Sequence, residues 1–275
     1  MFEKVNPGHP DKLADRIGGA IVDLGYKLQK NPRIAGECLI GHGVCHIIIE
    51  SSVNYSEKEI KEIVDRISDS KVELDLKIVP QDVYLAANQS EEIKCGDNGI
   101  FKACKINDEE IKLVKIVREL YNENPTDGKY VFDKQTDTLI ACQSNIKTEK
   151  LKEELSKTGI KNIIINPLGD WTGGINVDTG ATNRKLGSDM GRAVTGGGLH
   201  FKDISKSDVS VNVYLHKIAN EENLSEITCK CAIGDRTLII NGKEISYKQI
   251  TNEAYDYIMN KIGGFEKLAE WGLIC

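Results

Sequence analysis

The first strong hydrophobic pattern of the chain has the 3.6-residue period of an amphipathic helix. It starts at Pro10, a residue type favoured in the first turn of helices. Its apolar positions are Leu13, Ile17, Ile21, Leu24 and Leu28. Polar residues fill the positions between them, so one face is suited to a core. The pattern predicts a helix from residue 10 to about residue 28.

A hairpin, a second helix and a strand follow in the sequence. Two β-rich runs within residues 33–53 flank a Gly-His-Gly turn, a pattern typical of an antiparallel hairpin. Ser56 and Glu59 have the spacing of a capping box, which predicts a helix over residues 57–68. The run LDLKIV at 74–79 predicts a strand after that helix.

The same order of elements then returns twice. Residues 129–146 predict a second hairpin, with a helix over 148–158 and a strand over 161–166 after it. Strands within 226–245 predict a third hairpin, whose Asn-Gly turn is a strong hairpin signal, and a helix over 248–262 follows.

Three hairpin-plus-helix units with little mutual identity indicate an internal repeat. The fold class predicted from them is α+β, built of three similar sheet-plus-helix domains. We expect an N-terminal domain over residues 1–92, a shortened central domain over 93–166 and a C-terminal domain over 167–275.

Composition narrows the class of protein. The 275 residues are 40% hydrophobic and 28% charged, with a net charge of -6. An acidic chain without a long apolar stretch argues against a general nucleic-acid or membrane binder. The first twelve residues lack the apolar segment of a signal peptide, so a cytoplasmic location is expected. Eight cysteines are present without a CxxC pair, which favours reduced, mostly buried thiols over a zinc site.

One long segment, residues 167–207, is rich in glycine and in both signs of charge. Its basic residues are Arg184, Lys185, Arg192, Lys202 and Lys206. Aspartates lie between them, and glycines allow a ligand to approach the backbone closely. This combination favours a polyphosphate site with Mg²⁺ bridging the phosphates. The alternative is a solvated surface loop with scattered salt bridges. No P-loop motif is present.

Seven short motifs together are similar to the S-adenosylmethionine synthetase family. They are GHPDK at 8–12, GDNG at 96–99, DGK at 127–129, INPLG at 165–169, GGINVDTGATNRK at 173–185, GGG at 196–198 and KDISKSD at 202–208. Each motif is weak by itself, but seven in the family's order are specific. The resemblance extends from about residue 3 to about residue 240.

The resemblance implies a fold of three domains about a pseudo-threefold axis. It also implies ATP and L-methionine as substrates. The methionine sulfur attacks C5′ of the ribose and expels triphosphate, which is then hydrolysed to phosphate and pyrophosphate. A neutral thioether needs no general base, so such a site must stabilise a leaving group that gains negative charge.

The family's catalytic roles can be carried over by motif. His9 is implied beside the departing C5′ oxygen. Phosphate contacts are implied for Lys129, Arg184, Lys185, Lys202 and Lys206. Two Mg²⁺ ions per site are implied on Asp11 and Asp208, and a K⁺ ion on Glu37. The alternatives are that His9 and Asp11 only cap a helix and that each cation forms an ordinary salt bridge.

Substrate contacts and assembly are carried over in the same way. Contacts to methionine, ribose or adenine are implied for Glu50, Gln89, Asp97, Asp127, Trp171, Asp178 and Ile233. Glu50 could also be a plain strand-end carboxylate, and Trp171 and Ile233 could be core residues. The resemblance implies a homodimer with the site between subunits, with a tetramer as the alternative, and no nucleic-acid or membrane partner.

The chain also departs from the family pattern. The segment from Gln89 to Asp97 is a shortened form of the family's gating loop, and Asp170 replaces a positive charge. The C-terminus lacks the family's usual ending. Two other functions therefore stay open from the sequence: a tripolyphosphatase, and a non-catalytic nucleotide-binding regulatory subunit.

Overall fold

The computed structural model describes residues 1–88, 92–193 and 197–275. Within these ranges the helices are α1 (Pro10–Leu28), α2 (Glu57–Ser68), α3 (Val83–Asn88), α4 (Asp108–Glu123), α5 (Thr148–Ser156), α6 (Leu186–Met190), α7 (Ser207–Glu221), α8 (Tyr247–Asp256) and α9 (Phe265–Trp271). The strands there are β1 (Phe2–Val5), β2 (Ile34–Gly41), β3 (Val44–Ser51), β4 (Glu73–Val79), β5 (Gly99–Ala103), β6 (Gly128–Asp133), β7 (Thr138–Gln143), β8 (Asn162–Ile165), β9 (Thr179–Ala181), β10 (Ile227–Cys231), β11 (Thr237–Ile240) and β12 (Lys243–Ser246). The α+β class predicted from the sequence is confirmed.

The first unit is a four-stranded sheet in the order β4-β3-β2-β9. The predicted hairpin is present, with β2 and β3 antiparallel and Ile40 opposite Cys45. Strand β4 runs parallel to β3, because α2 carries the chain back to the same end of the sheet. The inner face packs on α1 and α2 around a core that includes Ile17, Ile47 and Val64.

The second unit is a sheet in the order β1-β6-β7-β8, with a parallel β7–β8 pair and antiparallel partners otherwise. Helices α4 and α5 supply Val117 and Leu151 to its core. The third unit has two antiparallel pairs, β5–β10 and β11–β12. Its core includes Leu215 of α7 and Ile250 of α8. Each sheet-plus-helix unit therefore has its own core.

The strands of these three cores are interleaved along the chain. Strand β1, at the N-terminus, pairs with β6 in the second sheet, and β5 pairs with β10 in the third. Strand β9 returns to the edge of the first sheet beside β2. These strand pairings connect the three units to one another. The division into consecutive domains at 1–92, 93–166 and 167–275 stays a prediction.

Local sequence signals account for several element boundaries. Ser56 and Glu59 form the predicted capping box at the start of α2. Asn241 and Gly242 both have positive φ at the turn between β11 and β12, as a two-residue hairpin turn of this type requires. The predicted C-terminal helix is α8 continued by a π-helical segment, Tyr257–Ile262, which Gly263 ends in a left-handed conformation.

Helices α4 and α7 were not predicted from the sequence. Helix α4 has a capping box of Asn107 and Glu110 and an apolar face, so local signals for it exist in the sequence. Helix α7 is buried on nearly all sides, from Ser207 to His216, so it has no polar face to give an amphipathic pattern.

Two further properties follow from the packing. In the described part of the chain, no helix combines the length and the apolar character that a membrane span needs. All eight cysteines are free thiols. Four of them are buried, namely Cys38, Cys45, Cys95 and Cys229.

Candidate active site

The polar start of α1 is the first part of the site. His9 is the N-cap residue of the helix, and its Nδ1 accepts a hydrogen bond of 3.1 Å from the Asp11 backbone N–H. Burial, and then the positive charge of Lys185, lower the pKa of His9 to about 4. The ring is therefore neutral near pH 7, and because Nδ1 is an acceptor, the ring hydrogen is on Nε2.

Asp11 is almost fully buried and is surrounded by donors from the glycine-rich segment. Lys185 Nζ donates to Asp11 Oδ2, and the Ala181 backbone N–H donates to Oδ1 over 2.9 Å. Arg184 approaches Oδ1 to 3.6 Å. Burial opposes ionisation, but the hydrogen bonds from Lys185 and Ala181 hold the pKa of Asp11 below its usual value. The GHPD and NRK motifs therefore meet at one carboxylate.

Strand β9 reaches Asp11 because Gly180 has no side chain. A Cβ placed on Gly180 would lie 2.0 Å from the backbone carbonyl of Pro10. We expect Gly180→Ala to destabilise the fold by about 1–3 kcal/mol, since the overlap forces the backbone to move. Gly187→Ala in α6 is the matched control, because its Cβ would meet nothing closer than 3.8 Å. Thermal unfolding of both variants measures the difference, and equal midpoints would contradict the prediction.

Asp127, Lys129 and Asp178 lie around the same helix start. Asp127 is buried at 7% exposure and accepts a hydrogen bond of 3.3 Å from the Gly174 backbone N–H. Burial, aided by the charges of Asp178 and Asp11, raises the pKa of Asp127 to about 6. Lys129 is half-exposed and pairs with Glu3 at 3.3 Å. Its charge and that of Asp178 both act on His9, which places them near the ring.

The raised pKa of Asp127 predicts a specific pH dependence. The folded chain binds more protons than the unfolded chain between about pH 4 and pH 6, so this group makes stability fall as pH rises through that window. Asp127→Asn should remove this loss. The free energy of unfolding of the variant, relative to that of the parent chain, should therefore be roughly 2–3 kcal/mol higher at pH 7 than at pH 4. Urea unfolding of both proteins at several pH values measures the difference. Parallel curves would contradict it.

A second cluster forms where α7 begins. Lys202 Nζ lies 2.7 Å from Asp208 Oδ2, and both side chains are largely buried. Gly197 of the triple glycine passes directly over Asp208, since a Cβ there would lie 2.4 Å from Oδ2. Lys206 is the N-cap residue of α7. The KDISKSD motif and Gly197 are therefore brought together.

Asp97 and Ile233 are linked to this second cluster. The Asp97 backbone carbonyl accepts a hydrogen bond of 3.5 Å from Ser207 Oγ, at the start of α7. The Ile233 backbone N–H donates to Asn98 Oδ1 over 2.9 Å. The side chain of Ile233 is 52% exposed, so it is not a core residue of the isolated chain.

The other sequence-predicted site residues lie on the first sheet or near the second. Glu37 and Glu50 point outward from β2 and β3, and Glu37 accepts a hydrogen bond from Thr182 Oγ1. Trp171 is 38% exposed and donates from Nε1 to Asn166 Oδ1 over 3.2 Å. Gln89 lies outside the described residues.

A buried ionic network under the site was not predicted from the sequence. Lys12 donates to Asp189 Oδ1 over 2.7 Å and to Asp15 Oδ2 over 3.2 Å. His200 Nε2 lies 2.8 Å from Asp189 Oδ2. Burial opposes ionisation of Asp189, but Lys12 and His200 hold its pKa well below its usual value. The sequence signal was weak, because Lys12 and Asp15 look like ordinary polar positions of α1.

This network holds the segments that carry Lys185 and Lys202 against α1. Asp15 Oδ1 accepts a hydrogen bond of 2.7 Å from the Asn183 backbone N–H, directly before Arg184 and Lys185. Asn183 Oδ1 in turn accepts from the His200 backbone N–H over 2.9 Å. The segments that carry Lys185 and Lys202 are therefore connected to one another through Asn183.

Some groups of oxygen ligands in and near the site suit metal ions, and one other acidic cluster does not. Asp11 and Asp208 are carboxylates beside glycine-rich backbone, a donor set that suits Mg²⁺. Glu37 with the Thr182 hydroxyl offers oxygen ligands for a monovalent ion. Asp15, Asp189 and His200 lie close enough together to hold a metal. The Lys12 ammonium already occupies the position between the two carboxylates, so the structure assigns no metal there.

Several known proteins are similar to this chain. Residues 1–91 match the model of the S-adenosylmethionine synthetase N-terminal domain. An S-adenosylmethionine synthase from Borrelia garinii is 29% identical, over 79% of this chain and 71% of the relative. One from Salinibacter ruber is 25% identical, over 82% of this chain and 74% of the relative. The chain is therefore similar to S-adenosylmethionine synthetases over most of its length.

A solved structure shows that the family's fold is kept along nearly the whole chain. An S-adenosylmethionine synthetase from Campylobacter jejuni, described as unusual, matches with a TM-score of 0.74. The match covers 99% of this chain and 93% of that chain at 19% identity. The departures of this chain from the motif pattern therefore lie within the same fold.

Proposed function

We propose that the chain forms S-adenosyl-L-methionine from ATP and L-methionine by attack of the methionine sulfur on C5′ of the ribose. Its similarity to S-adenosylmethionine synthases supports this activity. The same site would then hydrolyse the released triphosphate to phosphate and pyrophosphate. It also includes a cytoplasmic location.

One observation carries this proposal. Each of the two aspartates proposed to bind Mg²⁺ is paired with a lysine proposed to bind phosphate: Asp11 with Lys185, and Asp208 with Lys202. A Mg²⁺–triphosphate complex presents both signs of charge, so it can take the lysines to its phosphates and the aspartates to its metal ions. The buried charges are then paired both before and after binding, which avoids an isolated buried charge.

His9 is proposed to stabilise the departing C5′ oxygen. Its Nδ1 is held by the Asp11 backbone N–H, so Nε2–H is the available donor. The positive end of the α1 dipole lies at the same point and also favours negative charge. The neutral ring donates a hydrogen bond in the transition state without adding a proton.

The other cations would hold the triphosphate and its charge. Lys129, Arg184 and Lys206 join Lys185 and Lys202 in this role. When bound, two Mg²⁺ ions on Asp11 and Asp208 would neutralise phosphate charge, and a K⁺ ion on Glu37 would add positive charge beside residues 182–185. Substrate contacts are proposed for Glu50, Gln89, Asp97, Asp127, Trp171, Asp178 and Ile233.

A homodimer with the site at the subunit interface is part of the proposal. Glu37 and Glu50 are on the outer face of the first sheet, together with Leu39 and Ile48. These two apolar side chains are 45% and 54% exposed. Apolar exposure beside proposed site residues supports a second copy that covers this face.

The direct test combines the purified chain with ATP, methionine, Mg²⁺ and K⁺. Methionine-dependent formation of the sulfonium product, with phosphate and pyrophosphate, supports the proposal. Hydrolysis of added tripolyphosphate without the sulfonium product would instead show a tripolyphosphatase. Binding of ATP without any turnover would show a regulatory subunit. The departure at Asp170, which pairs with Lys147 rather than lying free, favours neither alternative.

A further inference from the structure

Two thiols from distant parts of the chain meet beside the second cluster. Cys95 precedes the GDNG motif, and Cys231 ends β10. Cys95 Sγ lies 3.0 Å from the Asp97 backbone carbonyl oxygen, and Cys231 Sγ lies 3.4 Å from the same oxygen. The two thiols therefore share one acceptor and lie next to each other.

The backbone around the pair is fixed. The Cys95 N–H donates to the Asp235 carbonyl over 2.9 Å, and the Gly234 N–H donates to the Cys95 carbonyl over 2.8 Å. Cys231 is opposite Gly99 in the β5–β10 register. Both thiols are thus held by neighbouring stretches of one framework, which meets the geometric demand of a disulfide more readily than two mobile loops would.

The thiols differ in exposure and in acidity. Cys95 is fully buried, whereas Cys231 is partly exposed, so solvent reaches the pair from the side of Cys231. The neighbouring Cys231 thiol lowers the pKa of the Cys95 thiol below its usual value, and Cys95 raises the pKa of Cys231. One member of the pair is therefore the better thiolate, and the other is the more accessible sulfur.

We propose that Cys95 and Cys231 form a reversible intramolecular disulfide when the chain meets hydrogen peroxide, and that this bond weakens the hold on Asp97. The first sulfur to react takes one oxygen and becomes a sulfenic acid, with release of water. The second sulfur attacks it, and the hydroxyl leaves with the thiol proton as a second water. Two thiols and one peroxide give one disulfide and two waters.

The consequence for the site follows from the hydrogens that are lost. Each thiol donates its one hydrogen to the Asp97 carbonyl, and the disulfide has no hydrogen to donate. The Asp97 carbonyl has three donors in the reduced chain, namely Cys95, Cys231 and Ser207. In the disulfide form only Ser207 Oγ, at 3.5 Å, remains. This second part of the inference rests on the proposed function, in which Asp97 contacts substrate. We expect the KM for methionine to rise about tenfold on oxidation.

The disulfide is tested without any activity assay. The purified chain is treated with one molar equivalent of hydrogen peroxide and mapped by mass spectrometry of non-reduced peptides. We expect a peptide pair joined through Cys95 and Cys231, short of two hydrogens and released by a dithiol. A Cys95–Cys229 link, or sulfinic acid on Cys231 beside a free Cys95 thiol, would overturn the proposal.

Variants of this region supply the controls. Cys229 is two residues from Cys231 on the same face of β10, so Cys229→Ser should keep the disulfide and Cys231→Ser should lose it. Cys231 is partly exposed, so its replacement should fold. The buried pair of Cys38 and Cys45, with sulfurs 3.6 Å apart, should stay reduced at this dose.

The effect on methionine is measured separately. The KM of oxidised and dithiol-treated protein is compared in the parent chain and in Cys231→Ser, which should show no difference between treatments. An unchanged KM in a parent chain that carries the disulfide would overturn the role of Asp97. A reduced chain that forms no sulfonium product would refute the proposed function and leave the mass-spectrometric result standing.

Discussion

His9→Ala should lower the rate of S-adenosylmethionine formation by about 10²–10³-fold, the usual effect of removing one donor to a developing oxyanion. The neutral ring offers Nε2–H because Nδ1 is occupied by the Asp11 backbone N–H. The loss should appear in kcat, since the donor acts mainly in the transition state. Hydrolysis of added tripolyphosphate should change less than tenfold, because the C5′–O bond is already broken in that substrate.

Two variants separate this role from helix capping. His9→Asn keeps a side chain that can cap α1 and should keep the stability that His9→Ala loses, roughly 1 kcal/mol. His42→Asn is the matched control, because His42 is an exposed histidine in the turn between β2 and β3, and asparagine tolerates its positive φ. It should leave both steps unchanged. A normal rate of product formation in His9→Ala would contradict the assigned role.

Lys12→Met should destabilise the fold by about 3–5 kcal/mol, because it leaves buried carboxylates without their cation. Lys12 is fully buried and is the shared partner of Asp15 and Asp189. For a chain of this size the thermal midpoint should fall by roughly 10 °C. Urea and thermal unfolding give the two measurements, provided that the transition is a single one.

An exposed lysine provides the control for this effect of a buried one. Lys61→Met removes a partner of Asp65 on the surface of α2 and should cost less than about 1 kcal/mol. The double variant Lys12→Met/Asp189→Asn should recover part of the stability lost in Lys12→Met, since one unpaired charge is removed with the other. A change below 1 kcal/mol in Lys12→Met would contradict the buried network as a source of stability.

Much of the fold could be predicted from local pattern. The hairpins, α1, α2 and the strand after α2 each have a signal within a few residues, and the structure confirms them at nearly the predicted bounds. Helix α7 could not be found in this way, because burial on all sides removes the polar face that periodicity needs. The pairing of strands from distant parts of the chain has no local signal either, because partners such as β1 and β6 are more than a hundred residues apart.

The candidate site divides in the same way. The motifs indicated which charged residues are candidates for the site. The structure brings Asp11 to Lys185 and Asp208 to Lys202. The assigned roles of those residues remain proposals. His200 had no motif to mark it, and only its 2.8 Å contact with Asp189 shows its place under the site.

The sequence by itself determined the kind of elements, their turns and the identity of the charged residues, because hydrophobic period, capping and turn chemistry act over a few neighbouring positions. The tertiary structure alone decided which charges share a partner and which thiols share an acceptor. Lys12, Asp189 and His200 are far apart along the chain, and so are Cys95 and Cys231. Folding places each set in one buried or half-buried volume, where a charge or a thiol must find a partner or lose its hydration.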